Sequence, residues 1–328
     1  MDNLGSILDN FKEKKILVIG DVMLDHTIYG TSDRLSPEAP SLVVKHGREE
    51  YNLGGAGNVA YNIKNLSDKS TVYLFGFIGD DNYGEKILSI AKEKNIIPYL
   101  EKEGMTTLKQ RIIVEGRGSP HQVVRIDRES NNKKRFEDKK TLFNLSDKAD
   151  IIVISDYAKG AVNSNLRDYI QDYKHKIIAD LKPPNSEIME IYRDVFMLKC
   201  NNSEAAQISK QLNYEYTGDF LRAHFNSNIL ITRGIKGMTL FPLDRTINKF
   251  EISANAQENF DPTGAGDTVI AVLALALSKD RSLESILSAS SLGNIAAGIT
   301  VKHTGAYAPI FQELRACLNN ETENFGSA

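Results

Sequence analysis

The chain is poor in cysteine, has no excess of positive charge and contains no long apolar run, and each shortage excludes a class of protein. Its two cysteines, Cys200 and Cys317, lie far apart with no C-x-x-C or His/Cys cluster beside them, so neither a disulfide framework nor a zinc site is expected. They read as reduced, structural thiols. Against 43 Asp and Glu stand 40 Lys and Arg, a formal net charge of -3 that offers no basic surface to nucleic acid. No apolar run reaches the ~20 residues a membrane helix needs. The opening "MDNLGSILDNFKEKK" also lacks a basic stretch followed by an apolar core, so no membrane association and a cytoplasmic location are expected. Two phosphate-binding fingerprints are missing as well. "GDDNYGEK" has Glu85 where a P-loop requires Lys, and Gly20 is followed by "DVMLD" rather than by a G-x-G-x-x-G turn.

What remains is a chain of 328 residues, 41% hydrophobic and 25% charged, long enough for one large globular domain. Short Val- and Ile-rich runs alternate with amphipathic segments: "KKILVIGD", "STVYLFGFIGD", "ADIIVISDY", "HKIIADLKP", "DVFMLKCN" and "SNILITRG". Continuous apolar strands separated by helices predict a mostly parallel central sheet covered on both faces, a three-layer α/β/α sandwich. Each run ends in polar or small residues (Gly20-Asp21, Gly79-Asp80, Ser155-Asp156, Asp180, Asn201-Asn202, Thr232-Arg233-Gly234). Ligands of open α/β sheets bind beyond the carboxyl ends of the strands, so these residues should line one edge.

The apolar positions Ala56, Val59, Ala60, Ile63 and Leu66 follow helical spacing and leave Asn58, Asn62 and Asn65 on another face. Two segments alternate polar and apolar residues around turn signals, as half-exposed strands do. They predict a small β-sheet lid built from about 26–51 and 105–128, discontinuous in sequence and projecting from a single domain of residues 1–328. The polar patches "ESNNKKRFEDKK" and "NNETENFGSA" read as solvated loop and frayed tail.

In "DPTGAGDTVIAVLA", three small residues, Gly264, Ala265 and Gly266, precede Asp267 at the start of an apolar helix. Small residues there leave backbone N–H groups bare, and with the helix dipole these form an anion site. Asp267 is either an N-terminal cap or, beside that anion, a general base for a hydroxyl receiving a phosphoryl group. "GGAGN" is a tight turn in isolation. Paired with "GDVMLD" it places Asp25 and Asn58 where both can hydrogen-bond sugar hydroxyls. "NNSE" is a helix cap or a group that holds magnesium-bound water near phosphates, and "TRGIKG" a hairpin turn or a nucleotide contact.

"GDVMLD", "SPEAP", "GGAGNVAYN", "SDYAKG", "NNSE", "TRGIKGM" and "DPTGAGDTVIAVLA" occur in an order that resembles the ribokinase-like (phosphofructokinase B type) sugar kinases, over roughly Lys14 to Pro309. "SPEAP" and "SDYAKG" are the more specific motifs, and they resemble the branch acting on D-glycero-β-D-manno-heptose 7-phosphate. The resemblance implies a three-layer core with a β-sheet lid, dimerisation through that lid, and phosphorylation of a sugar hydroxyl with ATP and Mg2+. It casts Asp267 as base and Gly264, Ala265 and Gly266 as anion hole. Asn201 and Glu204 would organise magnesium through water. Thr232, Gly234, Gly237 and Asn294 would contact nucleotide, and Asp25, Gly55 and Asn58 the sugar. Asp261 and Thr263 resemble the monovalent-cation loop of some members, which would admit K+.

A terminal substrate phosphate needs basic partners, because leaving it unpaired is costly. Lys109, Arg111 and Arg125 on the lid and Arg34 before "SPEAP" are the candidates, with ordinary surface charge as the alternative. Two positions depart from that branch: His26 stands where Arg is frequent, and "DLKPPN" replaces the usual Asp-Pro-Lys at Asp180. No fused nucleotidyltransferase with a His-x-Gly-His signature follows, so a separate enzyme is expected for the next step. Another sugar or sugar phosphate, or a catalytically silent sugar or nucleotide sensor, are the competing expectations.

Overall fold

The protein is described by a computed structural model covering residues 2–116, 120–129, 134–183, 190–211, 217–254 and 261–325. Parts of the patch "ESNNKKRFEDKK" and of the C-terminal tail fall outside these residues. The tail is helical as far as Phe325, in a helix Phe311–Phe325, where the sequence had suggested fraying.

The predicted apolar runs are all strands. In chain order the strands are β1 (Lys15–Gly20), β2 (Val22–Thr31), β3 (Lys45–Gly55), β4 (Thr71–Ile78), β5 (Ile97–Lys102), β6 (Thr107–Val114), β7 (His121–Arg128), β8 (Ile151–Ser155), β9 (Ile177–Asp180), β10 (Met197–Asn201), β11 (Asn228–Thr232), β12 (Met238–Phe241) and β13 (Phe250–Ile252). Nine form one sheet in the order β13-β12-β11-β10-β9-β8-β1-β4-β5, parallel from β5 through β11 and closed at one edge by antiparallel β12 and β13. This is the predicted ribokinase-like α/β architecture, with the antiparallel edge added.

Alternate residues of the central strands enter different cores. Ile16, Val18, Val72, Leu74, Ile151 and Val153 pack with the helices Ala56–Leu66, Ala265–Ala276 and Leu283–Thr300. Leu17, Ile19, Phe75, Phe77, Ile152 and Ile154 pack on the opposite face. Both faces are therefore dry, which is why these strands read as unbroken apolar runs instead of alternating ones.

A second, four-stranded sheet has the order β3-β2-β6-β7. Asp21 alone separates β1 from β2, so the chain passes from the large sheet into the small one at the carboxyl end of β1. β3 returns the chain, and at Gly55 a left-handed φ of 57° turns it into the helix Ala56–Leu66, a conformation that a residue with a Cβ adopts only at a cost. Among the described residues no helix is long and apolar enough to cross a membrane.

Candidate active site

The helix Ala265–Ala276 is apolar on all sides, with every residue from Asp267 to Leu275 buried between the sheet and the helix Leu283–Thr300. A helix dissolved in the core must begin at the sheet edge, where its first turn meets solvent. Its N-cap is Gly264, left-handed at φ 83°, with no side chain capping the first turn. The Ala265 N–H is taken by the Pro262 carbonyl at 3.2 Å, and with no side chain capping the turn its start keeps the condition for an anion at a helix N-terminus.

Asp267 does not cap the helix. Its side chain turns to neighbouring elements: Asn58 Nδ2 donates to Oδ2 at 2.6 Å and the Tyr157 hydroxyl to Oδ1 at 2.6 Å. The residue is 5% exposed. Burial pushes its carboxyl up to about 6, the two donated bonds pull in the other direction, Asp180 adds to the rise and Lys199 opposes it. A carboxyl in that range is ionised at neutral pH yet basic enough to take a proton.

The three asparagines of the helix Ala56–Leu66 form a polar seam inside the protein rather than a wet face. Asn58 is 2% and Asn62 0% exposed. Asn62 Nδ2 donates to the Asn58 carbonyl at 2.9 Å, its Oδ1 accepts from the Thr268 hydroxyl at 2.8 Å, and Asn65 Nδ2 donates to the Ala308 carbonyl at 2.9 Å. This seam joins the helix that carries Asn58 to the one that carries Asp267.

Tyr157 sits on the loop after β8, in the "SDYAKG" motif. Buried Asp21 pins that loop by accepting three backbone N–H bonds, from Tyr157 (2.8 Å), Lys159 (3.0 Å) and Ala161 (2.9 Å). The neighbouring Asp156 accepts from the Ala158 N–H at 2.8 Å and from the Tyr192 hydroxyl, and burial followed by the Asp21 charge raises its carboxyl to about 7. Two lysines approach the tyrosine ring, with Lys109 Nζ 5.5 Å and Lys182 Nζ 5.1 Å from its centroid.

Beside Asp267 opens a cavity of about 460 Å3, lined among others by Asp180, Lys182, Lys199, Asn201, Gly264, Ala265 and Gly266. Thr232, Gly234, Gly237 and Asn294, the expected nucleotide residues, also line it. Lys199 and Asp180 form a buried ion pair at 2.8 Å, their side chains 4% and 2% exposed. Asn201 and Glu204 make a reciprocal cap: Glu204 Oε2 accepts from the Asn201 N–H at 2.7 Å and Asn201 Oδ1 from the Glu204 N–H at 2.9 Å. The capping reading of "NNSE" is therefore realised, and the remaining oxygen of Glu204 accepts from Lys182.

Of the expected sugar residues, Asn58 reaches Asp267 itself, and Gly55 lies against Tyr157, where an added Cβ would meet Cδ2 at 3.5 Å. Asp25, on β2, pairs with Arg111 at 2.6 Å and faces Lys109 across the β2/β6 register. Burial first of all lowers the affinity of Lys109 for its proton, with Asp25 opposing. Arg125 is exposed and held bidentately by Asp127 at 2.9 and 2.7 Å, and Arg34 is exposed too. The four basic candidates thus separate into two beside Asp25 and Tyr157 and two at the surface. His26 is buried, its ring nitrogens bonded to Glu49 and Gln110, and it stacks on Tyr51.

Asp261 accepts from the N–H groups of Thr263 (3.0 Å) and Gly305 (2.7 Å); burial would raise its carboxyl, but these bonds hold it below the ordinary value. Among the described residues no group of three or more His, Cys, Asp or Glu could cage a metal. Lys199 and Tyr157 escaped the sequence reading as site residues. The signal for Lys199 was a lysine inside the otherwise apolar "MLKCN"; its partner Asp180 ends the adjacent strand.

The pfkB family carbohydrate kinase profile matches residues 13–313. Relatives include the bifunctional protein HldE of a Nitratiruptor species, 33% identical over 95% of this chain and 67% of that protein. The bifunctional protein HldE of Campylobacter curvus is 34% identical over 94% and 66%. The chain thus spans about two thirds of the length of these relatives. Among solved structures, ribokinase from Thermotoga maritima superposes with a TM-score of 0.73 at 20% identity, covering 93% of this chain and 99% of that one. Phosphofructokinase-2 from Escherichia coli in complex with potassium gives 0.72 at 17%, covering 93% and 98%. With a fold shared with the ribokinases, a buried carboxylate at a helix start that no side chain caps and a family profile covering most of its length, the chain belongs to the pfkB family of carbohydrate kinases and is an ATP-dependent sugar kinase.

Proposed function

We propose that the protein transfers the γ-phosphoryl group of ATP to the anomeric hydroxyl of D-glycero-β-D-manno-heptose 7-phosphate, releasing ADP and the 1,7-bisphosphate for ADP-heptose and surface-glycan synthesis. The observation that carries the reaction type is Asp267: a buried carboxylate at the head of an uncapped helix, bonded to Asn58 on the sugar side and bordering a lysine-lined cavity on the other. Asp267 takes the proton of the attacking hydroxyl as the hydroxyl oxygen bonds to the γ-phosphorus and the bond to the ADP oxygen breaks. Amides of the Gly264 to Gly266 turn, with Lys199 and Lys182, receive the charge of the phosphoryl group. Thr232, Gly234, Gly237 and Asn294 hold the nucleotide, while Asp25, Gly55 and Asn58 hold the sugar.

The substrate rests on "SPEAP" and "SDYAKG" and on the likeness to proteins named bifunctional protein HldE. Lys109 and Arg111 are its phosphate receptors, supplemented by Arg125 and Arg34 when the lid closes and expels water. Magnesium arriving with ATP would neutralise phosphate charge. Glu204, engaged by Lys182 and by the Asn201 N–H, would hold it through water rather than directly, as suits an ion that keeps much of its hydration. Asp261 and Thr263 would serve a K+ site, the residues 1–328 act as one domain with the β2-β3-β6-β7 sheet as lid, and two copies pair through that sheet.

A different sugar or sugar phosphate is the second reading. It is favoured by the Arg111–Asp25 and Arg125–Asp127 pairs, which leave Lys109 with fewer partners to help it hold a phosphate. ADP release with heptose 7-phosphate, ribose, fructose and fructose 6-phosphate separates the readings. Preference for heptose 7-phosphate is expected; preference for another sugar would replace the substrate, and no release with any of them would favour a silent sensor.

A further inference from the structure

We propose that Tyr157 is a positioning residue for the base: its hydroxyl fixes the plane of the Asp267 carboxylate and keeps that carboxylate in its basic form in the closed site. The inference rests on the reading of Asp267 as base and adds a residue to it.

A buried carboxylate with one donor can rotate about its Cβ–Cγ bond, but two donors on different oxygens fix its plane. Asn58 takes Oδ2 and Tyr157 takes Oδ1, each at 2.6 Å, leaving each oxygen a further lone pair for a substrate hydroxyl. Tyr157 is itself held. Its backbone N–H is tied to buried Asp21 at 2.8 Å, and its ring is approached by Lys109 of β6 at 5.5 Å and by Lys182 beyond β9 at 5.1 Å. A flexible side chain would lose entropy on forming the same bond, whereas this hydroxyl is already aimed.

The charges facing the pair come from several elements. Asp180 of β9 and Lys199 of β10 face Asp267; Asp25 of β2, Asp180, Lys109 and Lys182 face Tyr157. Burial and then Asp267 push the phenol well above its ordinary range, so Tyr157 remains a donor at every working pH. Donation in turn favours the ionised form of Asp267 against burial.

A hydrogen bond to a charged group contributes roughly 1.5–3 kcal/mol, equivalent to a displacement of about one pH unit or more. In Tyr157→Phe the acid limb of kcat, measured with saturating MgATP and heptose 7-phosphate, should therefore move up by at least about one unit. Turnover should fall about five-fold or more at pH 6 and by less than about two-fold at pH 8.5. The carboxyl band of an infrared difference spectrum that Asp267→Asn abolishes should titrate with the same upward displacement, a readout independent of turnover. Loss of activity by the same factor at every pH, or an unmoved limb and carboxyl band, would overturn the role of Tyr157. Substantial turnover in Asp267→Asn would instead overturn the base on which the inference rests, so the two failures are distinct.

Discussion

Replacing Asp267 by Asn should make the protein more stable at neutral pH while stopping its chemistry. In the folded chain the carboxyl is raised from 3.8 to about 6 by burial. Below pH 3.8 it is protonated in both states and costs nothing. As pH rises from there to about 6, the unfolded chain has released the proton and the folded chain still holds it, so stability falls; above 6 the full cost is present. The difference of about two pH units corresponds to about 3 kcal/mol at pH 8, and linkage leaves roughly half of that at pH 5. Asn keeps the shape: its Oδ1 can accept from Asn58 and its Nδ2 can donate to the Tyr157 hydroxyl oxygen, so both contacts can persist with the second reversed in direction. Thermal unfolding followed by circular dichroism should place the Asp267→Asn transition several degrees above wild type at pH 8, with the gap narrowing towards pH 5. A variant less stable than wild type at pH 8, or a gap independent of pH, would refute the view that a desolvated carboxylate is maintained here at the expense of stability.

Other perturbations test the surroundings. Lys199→Met removes one member of a buried ion pair and leaves Asp180 uncompensated; unfolding in denaturant should show a loss of about 3 kcal/mol or more. Gly266→Ala places a Cβ 2.6 Å from Lys199 Nζ, whose position Asp180 fixes. kcat/KM should fall ten-fold or more, roughly the penalty of displacing a catalytic neighbour by about 1 Å, with little change in melting temperature. Lys109→Ala and Arg111→Ala should each reduce the preference for heptose 7-phosphate over its dephosphorylated form in a competition assay, chiefly through KM. The same change at exposed Arg34 should reduce it less.

Strand positions were legible because both faces of the central sheet are covered, so β1, β4, β8, β9, β10 and β11 carry uninterrupted apolar runs. β12 and β13 at the antiparallel edge and β5 at the other edge gave no comparable signal; β5 is half exposed and reads as a mixed segment. The small residues before Asp267 pointed to the helix start, and the three-residue spacing of Asn201 and Glu204 to their mutual cap. Contacts between distant segments were not legible. Tyr157 and Asp267 are 110 positions apart and meet only because β8 ends and the helix Ala265–Ala276 begins at the same edge. The pairing of Lys199 with Asp180 likewise depends on β10 lying beside β9, an adjacency that no local pattern encodes.

The most direct measurement is phosphorus NMR of wild type and Asp267→Asn, each mixed with MgATP and D-glycero-β-D-manno-heptose 7-phosphate. Wild type should yield ADP and a new resonance coupled to the anomeric proton, and the variant should bind ATP but give neither. Phosphate appearing on another hydroxyl, no transfer by wild type, or comparable transfer by the variant would contradict the account.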